Sequence, residues 1–428
     1  MEGLIEKLEV AKYPVYKDSG VAWLGEIPGH WETTKLKYIA LSIADKRKSK
    51  ESNLSYIGME NIESWTSKFI ETSTEVEGLA NYFEAGDILF GKLRPYLAKV
   101  YLAKHEGICS TEFLVYRILD DFKKIYLKNV MLSKSFIDII NSSTYGSKMP
   151  RANSGFIGDQ IIPFPPLPEQ TAIANFLDRK TTLIDQAIAI KQKQIELLNE
   201  RRQILINKAV TRGLDPNVKL KDSGVEWIGE IPEGWEVKRL KYVLDERNER
   251  SKEGLEPLFM MSQVHGLVVR SDFHEKAEVA LSNEGNKIVR PNDLVFNKLK
   301  AHLGVFFKSE IKFDGIVSPD YAVYFSKGLI EDLKYLELLF RNPGYIKEFI
   351  CRATGIVEGL IRLYTHDLFD IQVPIPPIKE QSEILLYISE YSNKIMSAIS
   401  LKEKEIEKLK EYKATLINSA VTGKIKVY

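Results

Sequence analysis

Two short basic turns are the first places in this chain where side chains of the right type stand at a useful spacing. Lys92-Leu93-Arg94 and Lys298-Leu299-Lys300 each follow an apolar strand-like run led by aspartate, Asp87-Ile88-Leu89-Phe90 and Asp293-Leu294-Val295-Phe296. Loop arginine can hydrogen-bond guanine O6 and N7, whereas lysine more often contacts phosphate. Tyr96 and His302 lie two residues beyond each turn and could stack or hydrogen-bond. A second group is polar, basic and glycine-bearing: Lys148, Arg151 and Asn153 within residues 142–155. Its partly similar counterpart, residues 351–367, supplies Arg352 and Arg362. Asn61 and Gln263 could pair with adenine edges, although ordinary turn roles suit them better. The bland alternative for all of these is a solvated basic turn.

Two other patterns imitate catalysis. Asn342-Pro343-Gly344-Tyr345 is close to the Asn-Pro-Pro-aromatic loop of amino-methyltransferases, but glycine replaces the second proline and no glycine-rich cofactor loop accompanies it, and a turn within a helical hairpin is the better reading. Asp293 with Glu310-Ile311-Lys312 has a nuclease-like spacing that the aligned Lys104-His105-Glu106 lacks. No G-x-x-x-x-G-K-[ST] phosphate loop occurs. These absences argue against a self-contained enzyme and leave binding as the chemistry of interest.

The elements that must position these residues occur twice. Lys17 to Tyr38 reads KDSGVAWLGEIPGHWETTKLKY and Lys221 to Tyr242 reads KDSGVEWIGEIPEGWEVKRLKY, an offset of 204 with 15 of 22 positions identical. Four of the five tryptophans lie in these copies, Trp23, Trp31, Trp227 and Trp235, and are expected to anchor a core. PFPPLPEQ from Pro163 and PIPPIKEQ from Pro374 repeat at an offset of 211. The second insert is therefore longer by 211 − 204 = 7 residues. Between these frames both halves show short strands and helices, an α+β pattern. Helical stretches are expected at 125–141 and 329–350.

Each proline cluster leads into a long segment free of proline and glycine, starting near Glu169-Gln170 or Glu380-Gln381 and ending at Gly213 or Gly423. Its apolar positions match in order: Ile173, Leu177, Ile184, Ile188, Ile195, Leu198 and Leu205 with Ile384, Ile388, Ile395, Ile399, Ile406, Leu409 and Leu416. Spacings of three, four and seven are those of a coiled-coil seam. About 40 helical residues make a rod of roughly 60 Å. The seams suit antiparallel pairing of the two helices within one chain; independent pairing with other molecules is the alternative. The expected organisation is a globular domain over 1–168, a long helix over 169–213, a second globular domain over 214–377 and a second long helix over 378–428, with an internal pseudo-twofold repeat.

Composition narrows the partners. The chain has 428 residues, with 60 basic and 59 acidic side chains and a net charge of +1. Neutrality argues against strong sequence-independent attachment to phosphate and suits a subunit that borrows affinity from others. No apolar run is long enough for a membrane span and the first residues lack a secretory layout, so a cytoplasmic location is expected. Cys109 and Cys351 make no disulfide framework, and the six histidines show no metal-ligand spacing.

The paired D-S-G-V-x-W-[LI]-G-E-I-P-x-x-W segments, the P-x-P-P-[LI]-x-E-Q helix starts and the two matched helices together resemble the specificity subunit of type I restriction-modification systems, over nearly the whole chain. The resemblance implies two target recognition domains, each reading half of a split, asymmetric sequence in double-stranded DNA. It implies that the helices space these domains and dock two methyltransferase subunits, and that restriction-translocase subunits join the complex. It also implies a non-catalytic chain without its own cofactor, with S-adenosylmethionine, ATP and magnesium belonging to the partners. A scaffold whose heads bind proteins rather than DNA is the rival reading, slightly favoured by the neutral charge.

Overall fold

A computed structural model describes residues 11–49, 52–72, 78–119, 122–273, 283–355 and 362–427; the side chains of residues 301 and 302 lie outside the described set. The chain divides into two compact units. The first comprises residues 1–193 and 402–428, the second residues 194–401. Each unit therefore contains a stretch of both long helices, which span Leu167–Arg212 and Ile378–Val421.

The first unit opens on a ribbon of Tyr16–Asp18 against Glu26–Pro28. Its central sheet has four antiparallel strands in the order Ala40–Ile43, Phe113–Ile118, Ile88–Gly91, Val100–Leu102. A second sheet is ordered Lys46–Lys48, Leu79–Phe83, Gly107–Ser110, Tyr56–Ile57. Helices Lys124–Leu132 and Lys134–Ser142 pack on the central sheet, where Phe90, Tyr116, Tyr126 and Phe136 share one core with Trp31. The sequence suggests one helix here; Ser133 breaks it, with extended backbone at φ −65°, ψ 145°.

The second unit repeats this plan. Leu220–Asp222 pairs with Glu230–Pro232. The central sheet runs Leu244–Glu246, Tyr321–Ser326, Leu294–Asn297, Phe306–Lys308. The helical stretch expected at 329–350 is two helices, Lys334–Leu339 and Pro343–Arg352, which meet at the Asn342-Pro343-Gly344 turn. What differs is the other sheet material: Phe259–Ser262 forms a hairpin with Gly266–Val269, and Lys287–Val289 pairs with Gly315–Val317 and is bridged at Lys287 by Arg250.

The aspartates that lead the inner strands are structural. Asp87 takes a bidentate pair from Arg117, with bonds of 3.1 and 2.9 Å, and accepts the Glu84 N–H. Asp293 takes the same pair from Arg247, at 2.7 and 2.9 Å, and accepts the Arg290 N–H. Arg117 comes from the strand Phe113–Ile118, whereas Arg247 follows the strand Leu244–Glu246, so the pairing was invisible to alignment.

The repeated frames meet at the helix ends. In the first unit Glu169 accepts the Trp31 indole N–H, and in the second Glu380 accepts that of Trp235. Gln170 accepts the Lys123 N–H and donates to the Pro165 carbonyl. Gln381 accepts the Glu331 N–H and donates to the Pro376 and Leu329 carbonyls. Tyr126 and Tyr335, fully buried, donate their hydroxyls to the carbonyls of Val421 and Val210 near the C-terminal end of a long helix. The first long helix starts two residues earlier than the sequence suggests, because Pro168 lies in its first turn, where a missing N–H costs nothing.

Within the first unit the long helices run antiparallel. Asp185 pairs with Lys413 at 2.8 Å, and Lys191 with Glu405 at 2.5 Å. Ile173, Leu177 and Ile184 share a core with Leu416 and Ala420; Ile188 and Leu409 are half-buried against it. Within the second unit Ile206, Ala209 and Val210 share a core with Ile384 and Ile388. Ile395 and Ile406 are buried, whereas Ile195, Leu198, Leu205 and Ile399 are half-buried. Among the described residues no helix is long and apolar enough to cross a membrane.

Candidate nucleic-acid interface

In the first unit the basic turn and the polar loop form one ledge. The strand Ile88–Gly91 delivers Lys92, whose carbonyl accepts the Ala152 N–H at 2.9 Å. Arg94 donates its backbone N–H to the Pro150 carbonyl at 2.7 Å, and Leu93 bridges Arg151. Tyr145 and Arg151 exchange backbone hydrogen bonds of 3.2 and 3.0 Å, closing the loop between them. Arg94 sits in the left-handed region at φ 50°, as does Ala98 at φ 46°, on either side of the short turn Pro95–Leu97. Left-handed backbone at a residue other than glycine is costly and concentrates at functional sites. Arg94, Tyr96 and Lys148 are exposed, and Lys92 is half-buried.

The second unit builds the same ledge from other side chains. The Lys298 carbonyl accepts the Leu363 N–H at 3.1 Å, and Thr354 and Arg362 exchange backbone bonds of 2.9 and 2.8 Å. Ala152 and Leu363 are thus equivalent, at an offset of 363 − 152 = 211. The turn itself differs, because Lys300 has φ −122° where Arg94 is left-handed. Lys300 is exposed. The His302 side chain and residues 356–361 lie outside the described residues.

Not every candidate is available in the same way. The Asn153 side chain caps the helix Ser154–Gly158, accepting from Gly155 and Phe156. The Lys298 ammonium lies 3.7 Å from Glu246. Burial pulls its pKa down, against the opposing pull of Glu246. Arg352 donates to Glu348 within its own helix, at 3.1 Å. Asn61 is buried and spends its amide on Gly58, Ile70 and Thr72, while Gln263 is exposed.

Sequence reasoning missed the acids beside the two loop arginines. Arg151 donates to Glu112 through Nε and Nη2, at 3.1 and 2.9 Å, and this carboxylate raises the arginine's pKa. Arg362 Nη2 stands 3.6 Å from Asp320 Oδ1. The signal was present in the aligned Ser110-Thr111-Glu112 and Ser318-Pro319-Asp320, which share an acid at the third position. Also missed was the exposed edge strand Lys46-Arg47-Lys48, whose Arg47 lies over the Tyr82 ring at 3.4 Å.

The patterns that imitate catalysis have structural roles. Asn342 caps the helix Pro343–Arg352 by accepting the Gly344 N–H. Asp293 is held by Arg247, while Glu310 is exposed beside Lys308 and Lys334. Among the described residues no cluster of three or more metal-ligating side chains occurs.

Known proteins share this plan. Residues 28–200 match the family described as Type I restriction modification DNA specificity domain. The Type I restriction enzyme MjaVIII specificity subunit of Methanocaldococcus jannaschii is 26% identical over 423 residues, covering 94% of each chain. A chain from a structure addressing complex assembly and conformational transition of the type I R-M system superposes with a TM-score of 0.68 at 18% identity, over 92% of this chain and 98% of that one. The HsdS subunit of Thermoanaerobacter tengcongensis gives a TM-score of 0.51 at 18% identity, over 93% and 98%. With its duplicated frames and paired long helices, the chain is similar over nearly its whole length to specificity subunits of type I restriction-modification systems, and its residues 28–200 match their DNA specificity domain.

Proposed function

We propose that this chain reads a bipartite, asymmetric sequence in double-stranded DNA and gathers the catalytic subunits of its complex around it. The domains over 1–168 and 214–377 each read one half-site, and the long helices over 169–213 and 378–428 set the distance between them. The observation that carries this reading is the ledge, whose lysine-carbonyl bond and loop-closing backbone exchange occur in both units while its side chains differ: Arg94, Tyr96, Lys148 and Arg151 against Lys300, Arg352 and Arg362. A constant frame with variable side chains is what two different half-sites require. Base-edge contacts specify and phosphate contacts position. Half-sites one helical turn apart, about 34 Å, present the same face of the duplex.

Partner recruitment falls to the helices. On the central one Leu183, Ile190, Leu197 and Ile204 recur at a spacing of seven and are 47, 60, 51 and 58% exposed. Two methyltransferase subunits would cover such faces, with restriction-translocase subunits joining through them. S-adenosylmethionine, ATP and magnesium belong to those partners, and this chain is non-catalytic. The site of action is cytoplasmic DNA.

The test is to co-express the chain with its methyltransferase partner and map adenine methylation across a genome. A split motif with a fixed gap is expected. A stable complex that methylates no motif would overturn the reading and favour a protein-binding scaffold.

A further inference from the structure

An arginine at the same place in each ledge meets a carboxylate at the same place in each central sheet. Arg151 and Arg362 are related by 362 − 151 = 211, and Glu112 and Asp320 by 320 − 112 = 208. Each acid immediately precedes the strand that forms the middle of its sheet, Phe113–Ile118 or Tyr321–Ser326. Backbone bonds also close both ledges, independently of these side chains.

We infer that Glu112 and Asp320 are positioning residues: each holds one edge of its arginine so that the opposite edge reads a base. This rests on the proposed DNA-reading function. A guanidinium carries five N–H donors in a rigid plane. Glu112 uses the Nε–H and one Nη2–H. The remaining donors, two on Nη1 and one on Nη2, form the end-on fork that matches guanine O6 and N7. The carboxylate also neutralises the arginine and repels a phosphate brought beside it, which turns the pair from a backbone contact toward base-edge recognition. In the second unit the contact is single and longer, at 3.6 Å, and Asp320 is 70% exposed. Arg362 is thus held less firmly, and the first head is the more stringent reader at this position.

The experiment uses the full chain in complex with its methyltransferase, comparing wild type with Glu112→Gln and Asp320→Asn on a panel of DNA duplexes in which each base pair of the target is varied in turn. Glu112→Gln is expected to lose about tenfold discrimination at one base pair of one half-site. Its salt dependence should steepen by about one phosphate contact as the released arginine turns to the backbone. Asp320→Asn acts on the other half-site only, and more weakly. Glu112→Asp retains the preference in part. Arg151→Gln, with the acid intact, must relax the same base pair, which secures the test should Glu112→Gln fold poorly. An unchanged preference profile in Glu112→Gln, or a uniform fall in affinity across the whole panel, overturns the inference while a sequence-reading wild type leaves the functional reading standing. A wild-type complex with no sequence preference overturns the functional reading itself.

Discussion

Trp31 donates its indole N–H to Glu169, 138 residues further along the chain, at 2.8 Å. The equivalent bond from Trp235 to Glu380 measures 2.9 Å. The lead-in motif of each half is thereby tied to the first turn of its long helix, which explains why both motifs recur as a set. An acid in that turn also meets the positive end of the helix dipole.

Glu169 carries more than Glu380 does. It also accepts from the Tyr13 hydroxyl at 3.2 Å and meets His30 Nε2 at 2.6 Å. Glu169→Ala leaves a buried indole N–H without its acceptor and should cost about 2–3 kcal/mol, since hydrogen bonds to charged groups contribute about 1.5–3 kcal/mol each. Glu380→Ala should cost less. Urea unfolding of the two full-length variants checks the order; equal midpoints would mean that the His30 and Tyr13 contacts contribute nothing.

The glycines that end the long helices are the next point of sensitivity. Gly213 and Gly423 have φ of +70° and +72°. Left-handed backbone costs an alanine roughly 1–2 kcal/mol on its own. A Cβ at Gly213 would lie 2.6 Å from Glu380 Oε1, the end of a side chain that can yield. A Cβ at Gly423 would run into the Pro28 ring and lie 3.0 Å from the Trp31 indole, neither of which yields. Gly423→Ala should therefore lower the melting temperature more than Gly213→Ala, as read by calorimetry. The reverse order would show that the Pro28 contact relaxes freely.

Much of this frame was legible before any coordinates. The duplicated motifs, the α+β character and the two long helices followed from repetition and apolar spacing, because both copies satisfy the same bonds. The turn at Asn342 was legible too, because Asn-Pro-Gly marks a turn, whereas the break at Ser133 was not, since it lies inside a continuous apolar pattern. Nor was the acid behind each loop arginine, because Glu112 and Arg151 are 39 residues apart and only folding brings them together. The outer stripe of the central helix was hidden for another reason. Leu183 adjoins Ile184 and Ile204 adjoins Leu205, so two apolar columns run side by side, and periodicity alone does not say which one faces the core.

Acid should weaken the second unit through Glu246. Burial pushes this carboxyl up, but Lys287 at 2.9 Å, Thr365 and Lys298 outweigh it and hold its pKa below the usual 4.5. A carboxylate with a depressed folded-state pKa contributes stability that is complete above its unfolded pKa and lost as pH falls through the folded one. Glu246→Gln should thus be less stable than wild type near neutral pH, by on the order of 2 kcal/mol. The gap should close as the pH is taken below 4.5. Paired urea titrations across this range measure it. A gap that persists in acid would assign the loss to packing instead of charge.

The exposed column of the central helix separates assembly from folding. Leu183, Ile190, Leu197 and Ile204 occupy one heptad column of a helix whose neighbouring column is packed. Substitution of exposed residues ordinarily changes stability by no more than about 0.5 kcal/mol. Burying a leucine or isoleucine side chain in an interface is worth about 1.5–3 kcal/mol. Ile190→Asp and Leu197→Asp should therefore leave the unfolding midpoint of the isolated chain nearly unchanged, while weakening capture of the methyltransferase at least tenfold in a co-purification or calorimetric titration. Retained capture would move the docking surface to another face of the helices. A large loss of stability would mean that this column is already covered, for instance by a second copy of the chain, and the mass of the isolated chain in solution distinguishes that case.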